Sequence, residues 1–186
     1  MLQPRWPNHV PQRLQPGDDA RDHRPLARCG LSVSARPAIL FVCLGNICRS
    51  PMAEGAFRAA VQAAGIAVDM DSAGIENWYI GKPPDPRADA TARDHGVDIS
   101  GLRARQLNKH DFTGFTHILA LDLEALRHLR QIAPGATTAQ IALLLDMVPG
   151  REGRGIADPY FGDEEGFIDT WRDVTMAADA LVARFS

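Results

Sequence analysis

The stretch 43–50 carries the residue types that nucleophilic phosphate chemistry needs. It reads Cys-Leu-Gly-Asn-Ile-Cys-Arg-Ser, so a cysteine and an arginine are separated by five residues. An aliphatic run, 38–42, precedes it, and a helical pattern follows from Pro51. A strand that turns directly into a helix leaves several N–H groups facing one small space at the positive end of the helix dipole, where a tetrahedral oxyanion binds. The spacing predicts a phosphate-binding loop whose nucleophile is Cys43.

The loop also contains the partners that such chemistry requires. The planar guanidinium of Arg49 can bind two phosphoryl oxygens at once. Because thiols near cations and helix N-termini ionise readily, the same loop favours the thiolate of Cys43. The hydroxyl of Ser50 can donate to that sulfur when it later becomes the leaving group. Gly45 and Asn46 are residue types that accept the left-handed backbone of a tight loop.

A general acid is needed as well, because nucleophilic attack alone releases an alkoxide or phenoxide poorly. The candidate is Asp158, within the sequence Ile-Ala-Asp-Pro-Tyr-Phe-Gly-Asp at 156–163. Pro159 disfavours helix at the preceding residue, so the carboxyl group can project from a loop. A nearby phosphate dianion would help to keep it protonated. Since Asp-Pro is common in ordinary turns, an unspecialised turn aspartate is the alternative.

The pattern of apolar residues predicts the elements that hold these two loops. The aliphatic run 38–44 is typical of a central parallel strand buried on both faces. In the last helix, apolar residues from Phe167 to Phe185 recur at steps of three and four and form one stripe. The other strands are predicted at 67–72, 115–121 and 141–145, and the helices at 50–64, 86–95, 123–132 and 164–185, with one helical turn around 109–112.

Strands that alternate with helices predict an α/β fold. We expect a four-stranded parallel, doubly wound sheet with helices on both faces and the phosphate loop between strand 1 and helix 1. In such sheets ligands bind beyond the carboxyl ends of the strands. The loop at 43–50 follows the first strand and therefore lies in such a place.

Composition limits the classes of function. The chain has 186 residues, of which 45% are apolar and 23% charged, the balance of a globular domain. A net charge of −3 gives no overall attraction to nucleic acid or to an acidic membrane. No apolar run approaches the roughly 18 residues of a membrane span. Three cysteines do not make a disulfide framework, so we expect a reducing compartment, the cytoplasm.

Residues 1–36 differ from the rest of the chain. They contain five prolines and six arginines and show no apolar periodicity. The segment also lacks the apolar core of a secretory signal. We predict that it is a disordered extension or the product of an upstream start codon, with a basic docking tail as the functional alternative. Cys29 within it is then a bystander thiol, and the folded domain spans 37–186.

Three patches of this domain resemble the low-molecular-weight protein tyrosine phosphatase family. They are Val-Cys-Leu-Gly-Asn-Ile-Cys-Arg-Ser-Pro at 42–51, Asp-Ser-Ala-Gly at 71–74 and Asp-Pro-Tyr at 158–160. The resemblance covers the predicted domain, 37–186. It implies the family's fold and its activity, the hydrolysis of phosphotyrosine through a cysteinyl-phosphate, with neither a metal nor another cofactor.

The resemblance also implies roles for single residues. Cys43 would attack phosphorus, Arg49 would bind the phosphoryl oxygens, and Asp158 would act first as general acid and then as general base. A second group would support the loop or bind the substrate. Its members are Asn46, Ser50, Ser72 and His95, which match a hydrogen-bond network behind the loop, and the loop residues Leu44, Gly45, Ile47 and Cys48.

Simpler explanations exist for some of these residues. His95 ends a predicted helix, where a histidine often only offsets the helix dipole. Ser72 could simply end a strand, and Asp122 fits a helix N-cap. Cys48 could pack in the loop wall, whereas the resemblance suggests a reversible disulfide between Cys43 and Cys48 that protects the nucleophile from further oxidation.

Two aromatic residues bear on the class of substrate. Trp78, after the second strand, and Tyr160, beside the acid, could form the walls of a slot, although exposed loop aromatics often serve local packing. A slot between rings favours phosphotyrosine over the shorter phosphoserine. Ile47 agrees with this, because the resemblance associates a bulky aliphatic residue there with tyrosine phosphatases and threonine with phosphoarginine phosphatases.

The expected partner is therefore a phosphotyrosine protein, with a bacterial tyrosine kinase as one candidate. We expect no nucleic-acid or membrane partner, and a monomer or weak dimer. Two other classes compete with this interpretation. A thioredoxin-coupled arsenate reductase of the same fold needs further cysteines downstream, but none follows Cys48. A non-catalytic phosphate-binding or phosphocarrier domain would not need the acid Asp158.

Overall fold

The computed structural model describes residues 36–186, so the predicted extension at 1–36 lies outside the described residues except for Arg36. Strands and helices alternate along the described chain, as predicted. The strands are β1 (Ala38–Cys43), β2 (Asp69–Gly74), β3 (His117–Ala120) and β4 (Gln140–Leu143). The helices are α1 (Arg49–Ala64), α2 (Pro86–Asp94), α3 (Asp111–Gly114), α4 (Leu123–Ile132) and α5 (Glu164–Phe185).

The four strands form one parallel sheet in the order β2-β1-β3-β4, which confirms the predicted fold class. At the carboxyl end of β1, Cys43 pairs with Gly74 of β2, and Val42 pairs with Ala120 of β3. From β1 the chain goes first to β2, at one edge of the sheet. It then returns past β1 to β3 and β4, which lie on the other side of β1 within the sheet. The carboxyl end of β1 is therefore the topological switch point, where ligands of such sheets bind.

Helices cover both faces of this sheet. On one face α1 and α5 pack together, and their buried side chains Phe57 and Phe167 share a cluster with Phe41 of β1. On the other face, Leu129 of α4 packs in a second cluster with Leu40. The apolar stripe predicted for the last helix faces the first cluster. Phe167, Trp171, Val174, Ala178 and Leu181 are buried there, and the last member of the stripe, Phe185, packs against the cluster partly buried.

Several boundaries differ from the predicted ones, and β3 is shorter than expected, at 117–120 instead of 115–121. β2 begins and ends two residues later than expected, because its pairing with β1 continues to Gly74. β4 ends at Leu143, and Leu144–Met147 forms a 3-10 turn instead of a strand. The carboxylate of Asp146 accepts a hydrogen bond from the Leu143 N–H at 3.1 Å, which stabilises this turn. Since Leu143, Leu144 and Leu145 are all buried, burial alone does not distinguish a strand from a turn here.

The helix starts carry recognisable caps. Asp85 accepts a hydrogen bond from Arg87 N–H at the start of α2, and Pro86 takes the first helical position. Asp122 accepts from Ala125 N–H at 2.7 Å and caps α4, as predicted. None of the helices within residues 36–186 has the length and apolar content needed to cross a bilayer.

Candidate active site

The loop 43–50 leads from β1 into α1 and folds tightly against the end of β2. Asn46 has a φ of 57°, and no other non-glycine residue in the described part of the chain has a positive φ. Gly74 lies directly behind the loop, where an added Cβ would come within 3.0 Å of the carbonyl oxygen of Leu44 and the carbonyl carbon of Gly45. The left-handed residue and this close approach fix the loop backbone at the N-terminus of α1.

The sulfur of Cys43 is surrounded by hydrogen-bonding groups. Its Sγ lies 3.0 Å from Ser50 Oγ, and the N–H of Asn46 donates to it at 3.3 Å. Ser50 Oγ also accepts a hydrogen bond from Asn46 Nδ2 at 2.9 Å, which leaves its own proton free to point at the sulfur. All three residues are buried. These contacts hold the sulfur in place where the loop begins.

A buried network continues behind the sulfur. Asn46 Nδ2 donates to Ser72 Oγ at 2.9 Å, and Ser72 Oγ donates to Glu54 Oε2 at 2.7 Å. The side-chain oxygen of Asn46 accepts from the Arg105 N–H at 2.9 Å. Burial raises the pKa of Glu54 to about 7, and the hydrogen bond from Ser72 opposes this rise only in part. A carboxyl group that titrates near neutral pH is thus linked to the loop through two side chains.

The Arg49 side chain is buried between two carboxylates. Nη1 lies 2.6 Å from Asp122 Oδ2, Nη2 lies 2.6 Å from Asp158 Oδ2, and Nη1 also donates to Ile156 O at 3.2 Å. Burial alone would lower the pKa of Arg49, but the negative charges of Cys43, Asp158 and Asp122 outweigh burial and raise it. Arg49 therefore stays charged. In residues 36–186 no group of three or more His, Cys, Asp or Glu side chains is arranged to hold a metal ion.

A pocket of about 100 Å³ opens above the loop. Four of its lining side chains are aromatic, and two of these reach far into solvent, because Trp78 is 62% and Phe161 is 96% exposed. Cys43, Arg49 and Asp158 all line it. The remaining lining residues are Leu44, Gly45, Ile47, Cys48, Tyr79 and Tyr160. The pocket thus joins a thiol, a guanidinium and a carboxyl group within one apolar rim.

Tyr79 is a wall that the sequence did not indicate. Its ring lies against Gly45, where an added Cβ would come within 3.0 Å of the ring carbon Cδ2. Its hydroxyl lies 3.1 Å from the hydroxyl of Tyr160, and the two ring centroids are 6.3 Å apart. The two tyrosines therefore meet across the pocket, with Tyr79 resting on the phosphate loop and Trp78 lying farther out.

His95 does not join the loop network. It is exposed at the end of α2, its Nδ1 pairs with Thr91 O at 2.8 Å, and its ring packs against Trp171 at 5.2 Å between centroids. The prediction that His95 belongs to the hydrogen-bond network behind the loop is therefore wrong. The position near Ser72 is taken instead by Glu54, on the first turns of α1. The helix that carries His95 points it toward α5, away from the loop.

Other contacts of the site do not follow from the sequence pattern alone. Asp122 caps α4 as its sequence position predicts, and it also binds Arg49, which its position does not indicate. Glu54 lies five residues after Arg49, so a carboxyl within an otherwise apolar helix face was an available signal. Tyr79 adjoins Trp78, and nothing in the sequence indicates which of two neighbouring aromatics faces inward.

Cys48, a predicted loop residue, is a buried free thiol, and burial raises its pKa.

Comparisons with known proteins agree with this geometry. The chain matches the family model described as low molecular weight phosphotyrosine protein phosphatase over residues 38–186. A low molecular weight protein-tyrosine-phosphatase from Streptomyces coelicolor is 41% identical over 150 residues, which is 78% of this chain and 91% of that protein. The chain therefore belongs to the low-molecular-weight phosphotyrosine protein phosphatase family, and the resemblance noted in the sequence is confirmed.

Solved structures support the same fold. The crystal structure of YfkJ from Bacillus subtilis has a TM-score of 0.75 and 36% sequence identity, and covers 82% of this chain and 96% of that chain. A Drosophila arginine phosphatase also has a TM-score of 0.75, at 29% identity, and covers 80% of this chain and 97% of that chain. Neighbours of similar structure thus include proteins named for different phosphorylated residues.

Proposed function

We propose that this protein is a protein-tyrosine phosphatase that hydrolyses phosphotyrosine through a cysteinyl-phosphate. The observation that carries the proposal is that a thiol, a guanidinium and a carboxyl group line one aromatic pocket. Family membership supports it, because relatives at about 40% identity are named as protein-tyrosine phosphatases. The chemistry needs only residues of this chain.

In the first step the Cys43 thiolate attacks phosphorus, and the bond to the tyrosine oxygen breaks. Asp158 gives its proton to that oxygen, so tyrosine leaves as a neutral phenol. Arg49 binds two of the equatorial oxygens, where negative charge must be stabilised as the bonds exchange. The N–H groups at the start of α1 supply the remaining donors.

In the second step water attacks the cysteinyl-phosphate. Asp158, now a carboxylate, takes a proton from the water, and the sulfur leaves as a thiolate. Ser50 supports this step, since its hydroxyl lies 3.0 Å from the sulfur and can donate to the leaving thiolate. Phosphate then dissociates, and Cys43 and Asp158 return to their starting protonation states.

Arg49 couples substrate binding to the acid. In the structure it shares its guanidinium between Asp122 and Asp158. A phosphate dianion competes with Asp158 for the Nη2 donor, because it carries more charge and offers two oxygens to the same planar fork. Asp158 then loses its cationic partner beside a dianion, and both changes favour the protonated form that the first step requires.

The shape of the pocket favours phosphotyrosine among phosphorylated residues. The aromatic walls suit a flat phenyl ring, whereas phosphoserine is shorter and lacks a ring. Ile47 adds an apolar surface at the loop. Phosphoarginine is the substrate class to test beside it, because one similar structure is named an arginine phosphatase. We expect kcat/KM to be higher for a phosphotyrosine peptide than for the matching phosphoserine or phosphoarginine peptide.

For the cellular setting we propose a phosphotyrosine protein in the cytoplasm as the substrate, with a bacterial tyrosine kinase as a candidate, and an enzyme that works as a monomer or weak dimer. The cytoplasm suits the chemistry, because the nucleophile works only as a free thiol and both cysteines of the loop are free in the structure. A pull-down with the substrate-trapping variant Asp158→Ala tests the kinase assignment.

Hydrolysis of phenyl phosphate tests the mechanism. Cys43→Ser is expected to remove activity, and Asp158→Ala to lower kcat/KM by about 100-fold to 10,000-fold, the usual contribution of general acid catalysis. Cys29→Ser is the matched control, because Cys29 lies outside the predicted domain. Robust hydrolysis by Cys43→Ser would refute the mechanism. Arsenate reduction coupled to thioredoxin by the wild-type protein would favour the reductase class instead.

A further inference from the structure

The segment 85–87 lies between the phosphate loop and the segment that carries the acid. The backbone N–H of Asp85 donates to Ile47 O in the phosphate loop at 2.7 Å. The Asp85 carboxylate accepts from the backbone N–H of Arg87 at 2.9 Å. Burial opposes ionisation of Asp85, but hydrogen bonds with Arg87 outweigh this effect and lower its pKa. Asp85 is therefore a charged residue attached directly to the phosphate loop.

The side chain of Arg87 extends this attachment to the acid segment. Its Nε and Nη2 bind the two oxygens of Asp85, each at 3.0 Å. Nη2 also donates to Tyr160 O at 3.0 Å, and Nη1 donates to Gly162 O at 3.2 Å. The guanidinium stacks on the Phe167 ring at 4.5 Å. A bidentate ion pair on one side and two carbonyl groups on the other leave the guanidinium little freedom.

Tyr160 connects this arginine to the acid itself. Its carbonyl accepts from Arg87, while its N–H donates to Asp158 Oδ1 at 3.1 Å. Four successive contacts thus join the five residues Ile47, Asp85, Arg87, Tyr160 and Asp158. Ala157, Asp158, Phe161 and Gly162 are exposed. Besides the contacts of Arg87, the segment is held by Arg49, which binds Asp158 and Ile156 O, and by the Tyr79 hydroxyl, which lies beside that of Tyr160.

We propose that Arg87 is a positioning residue, which sets the distance of the Asp158 carboxyl group from the phosphate loop through Asp85 and Tyr160. This inference rests on the proposed function, because it concerns the general acid of that reaction. Arg87 itself does not line the pocket, and its side chain donates only to Asp85, Tyr160 O and Gly162 O. Its effect on the rate depends on how much proton transfer the leaving group needs.

The test compares two aryl phosphates whose leaving groups differ in acidity. p-Nitrophenol leaves as a stable anion, whereas phenol needs the proton from Asp158. We expect Arg87→Gln to lower kcat/KM for phenyl phosphate about tenfold more than for p-nitrophenyl phosphate, a part of the roughly 100-fold to 10,000-fold that a general acid supplies. Arg87→Lys keeps the charge but cannot bind Asp85 and both carbonyls in one plane, so we expect the same trend.

Arg93→Gln is the matched control. Arg93 belongs to the same helix and also pairs with an aspartate, Asp89, but this contact stays within α2. Its kcat/KM ratio for the two esters should equal that of the wild type. A double variant adds a second readout. In the Asp158→Ala background, Arg87→Gln should cost little further activity toward phenyl phosphate, because it acts through the same carboxyl group.

The possible outcomes separate the two proposals. Equal losses on both esters, or a full additional loss in the Asp158→Ala background, would refute the positioning role while the phosphatase mechanism stands. If Arg87→Gln does not fold, the comparison of the two esters with Arg87→Lys, the milder change, tests the positioning role in its place. A wild-type protein that hydrolyses neither ester would refute the proposed function and the positioning role with it.

Discussion

At the scale of single residues, the site depends on side chains that do more than one task. Asp122 caps a helix and also binds the arginine of the loop. Asn46 donates to two serines and supplies the left-handed turn. Replacing such a residue removes several contacts at once, so one substitution changes both the activity and the stability of the protein. The two residue predictions below therefore use changes that remove one property at a time.

Glu54 should make the stability of the protein depend on pH. Burial raises its pKa from 4.5 to about 7 in the folded state. The unfolded chain therefore gives up this proton at lower pH than the folded protein. The contribution of protonated Glu54 to the free energy of unfolding is full below pH 4.5 and is lost as pH rises to about 7. At 1.36 kcal/mol per unit the loss is about 3 kcal/mol.

Glu54→Gln keeps the shape and an acceptor for Ser72 but removes the titration. We expect the variant to match the wild type near pH 4.5 and to exceed it by about 3 kcal/mol at pH 8 in free energy of unfolding. Denaturant unfolding across this range measures the difference. Glu165→Gln, at an exposed position on α5, serves as control. A difference between Glu54→Gln and wild type that stays constant with pH would contradict the prediction.

Tyr79 should contribute to the preference for aromatic substrates through its hydroxyl. Tyr79→Phe keeps the ring on Gly45 but removes the hydrogen bond to Tyr160. A neutral hydrogen bond contributes about 0.5–1.5 kcal/mol. We therefore expect kcat/KM for phosphotyrosine to fall about twofold to tenfold and that for phosphoserine to change less.

The contact between the two tyrosines can be separated from the properties of each ring. In a Tyr160→Phe background, Tyr79→Phe should cost nothing more, because its partner is already absent. Equal effects of Tyr79→Phe in both backgrounds would show that the hydroxyl pair does not matter.

At the scale of elements, the phosphate loop is shaped by the strand behind it as much as by its own sequence. Gly74→Ala places a Cβ 3.0 Å from backbone atoms of Leu44 and Gly45, which cannot rotate away as a side chain would. We expect a weaker affinity for inorganic phosphate and a loss of about 1–3 kcal/mol in unfolding free energy. Isothermal titration and denaturant unfolding measure the two effects.

Gly101→Ala is the matched control for this change. A Cβ at Gly101 meets nothing within 4 Å, and the residue does not have a positive φ. It should therefore leave both phosphate affinity and stability near the wild-type values. A Gly74→Ala protein that binds phosphate as tightly as wild type would show that β2 does not constrain the loop.

The elements themselves could be predicted from the sequence where one period dominates. The last helix follows the predicted range, 164–185, because its stripe of apolar residues has a single period and Asp163 caps its start. The end of β4 could not be predicted, since three successive leucines are buried in both a strand and a 3-10 turn. The 3-10 turn is stabilised by the contact of the Asp146 carboxylate with the Leu143 N–H, and no local sequence pattern reveals this contact.

The site was predictable to the extent that its chemistry is local in sequence. Cys43 and Arg49 lie on one loop, so spacing alone predicts that they approach each other. His95 was misplaced because its distance to Ser72 depends on which way α2 faces. Tyr79 and Arg87 act across a gap between two loops, and such contacts depend on the packing of the whole domain.

At the scale of the whole molecule, the two halves of the site differ in how firmly they are held. The phosphate loop continues from the central strand into α1, whose residues 49–57 are all buried. The acid segment is mostly exposed and is held by single side chains such as Arg87. Segments with few buried contacts open at lower cost than the core.

We therefore expect a defined order of failure in urea. Hydrolysis of phenyl phosphate should be lost at a lower urea concentration than the helical circular dichroism signal, and binding of inorganic phosphate should persist until the helical signal falls. Parallel titrations of activity, phosphate binding and circular dichroism measure the three midpoints. Coincident midpoints for all three would contradict the expectation.

The attachment of the nucleophile to the central strand has a consequence for the protein under mild stress. A molecule whose acid segment has opened still holds its anion site intact, but it has lost the group that releases the product alcohol. It then binds phosphotyrosine at the anion site without cleaving it, so the catalyst becomes a stoichiometric binder. Local opening would in this way convert a phosphatase into a protein that shields its substrate instead of dephosphorylating it.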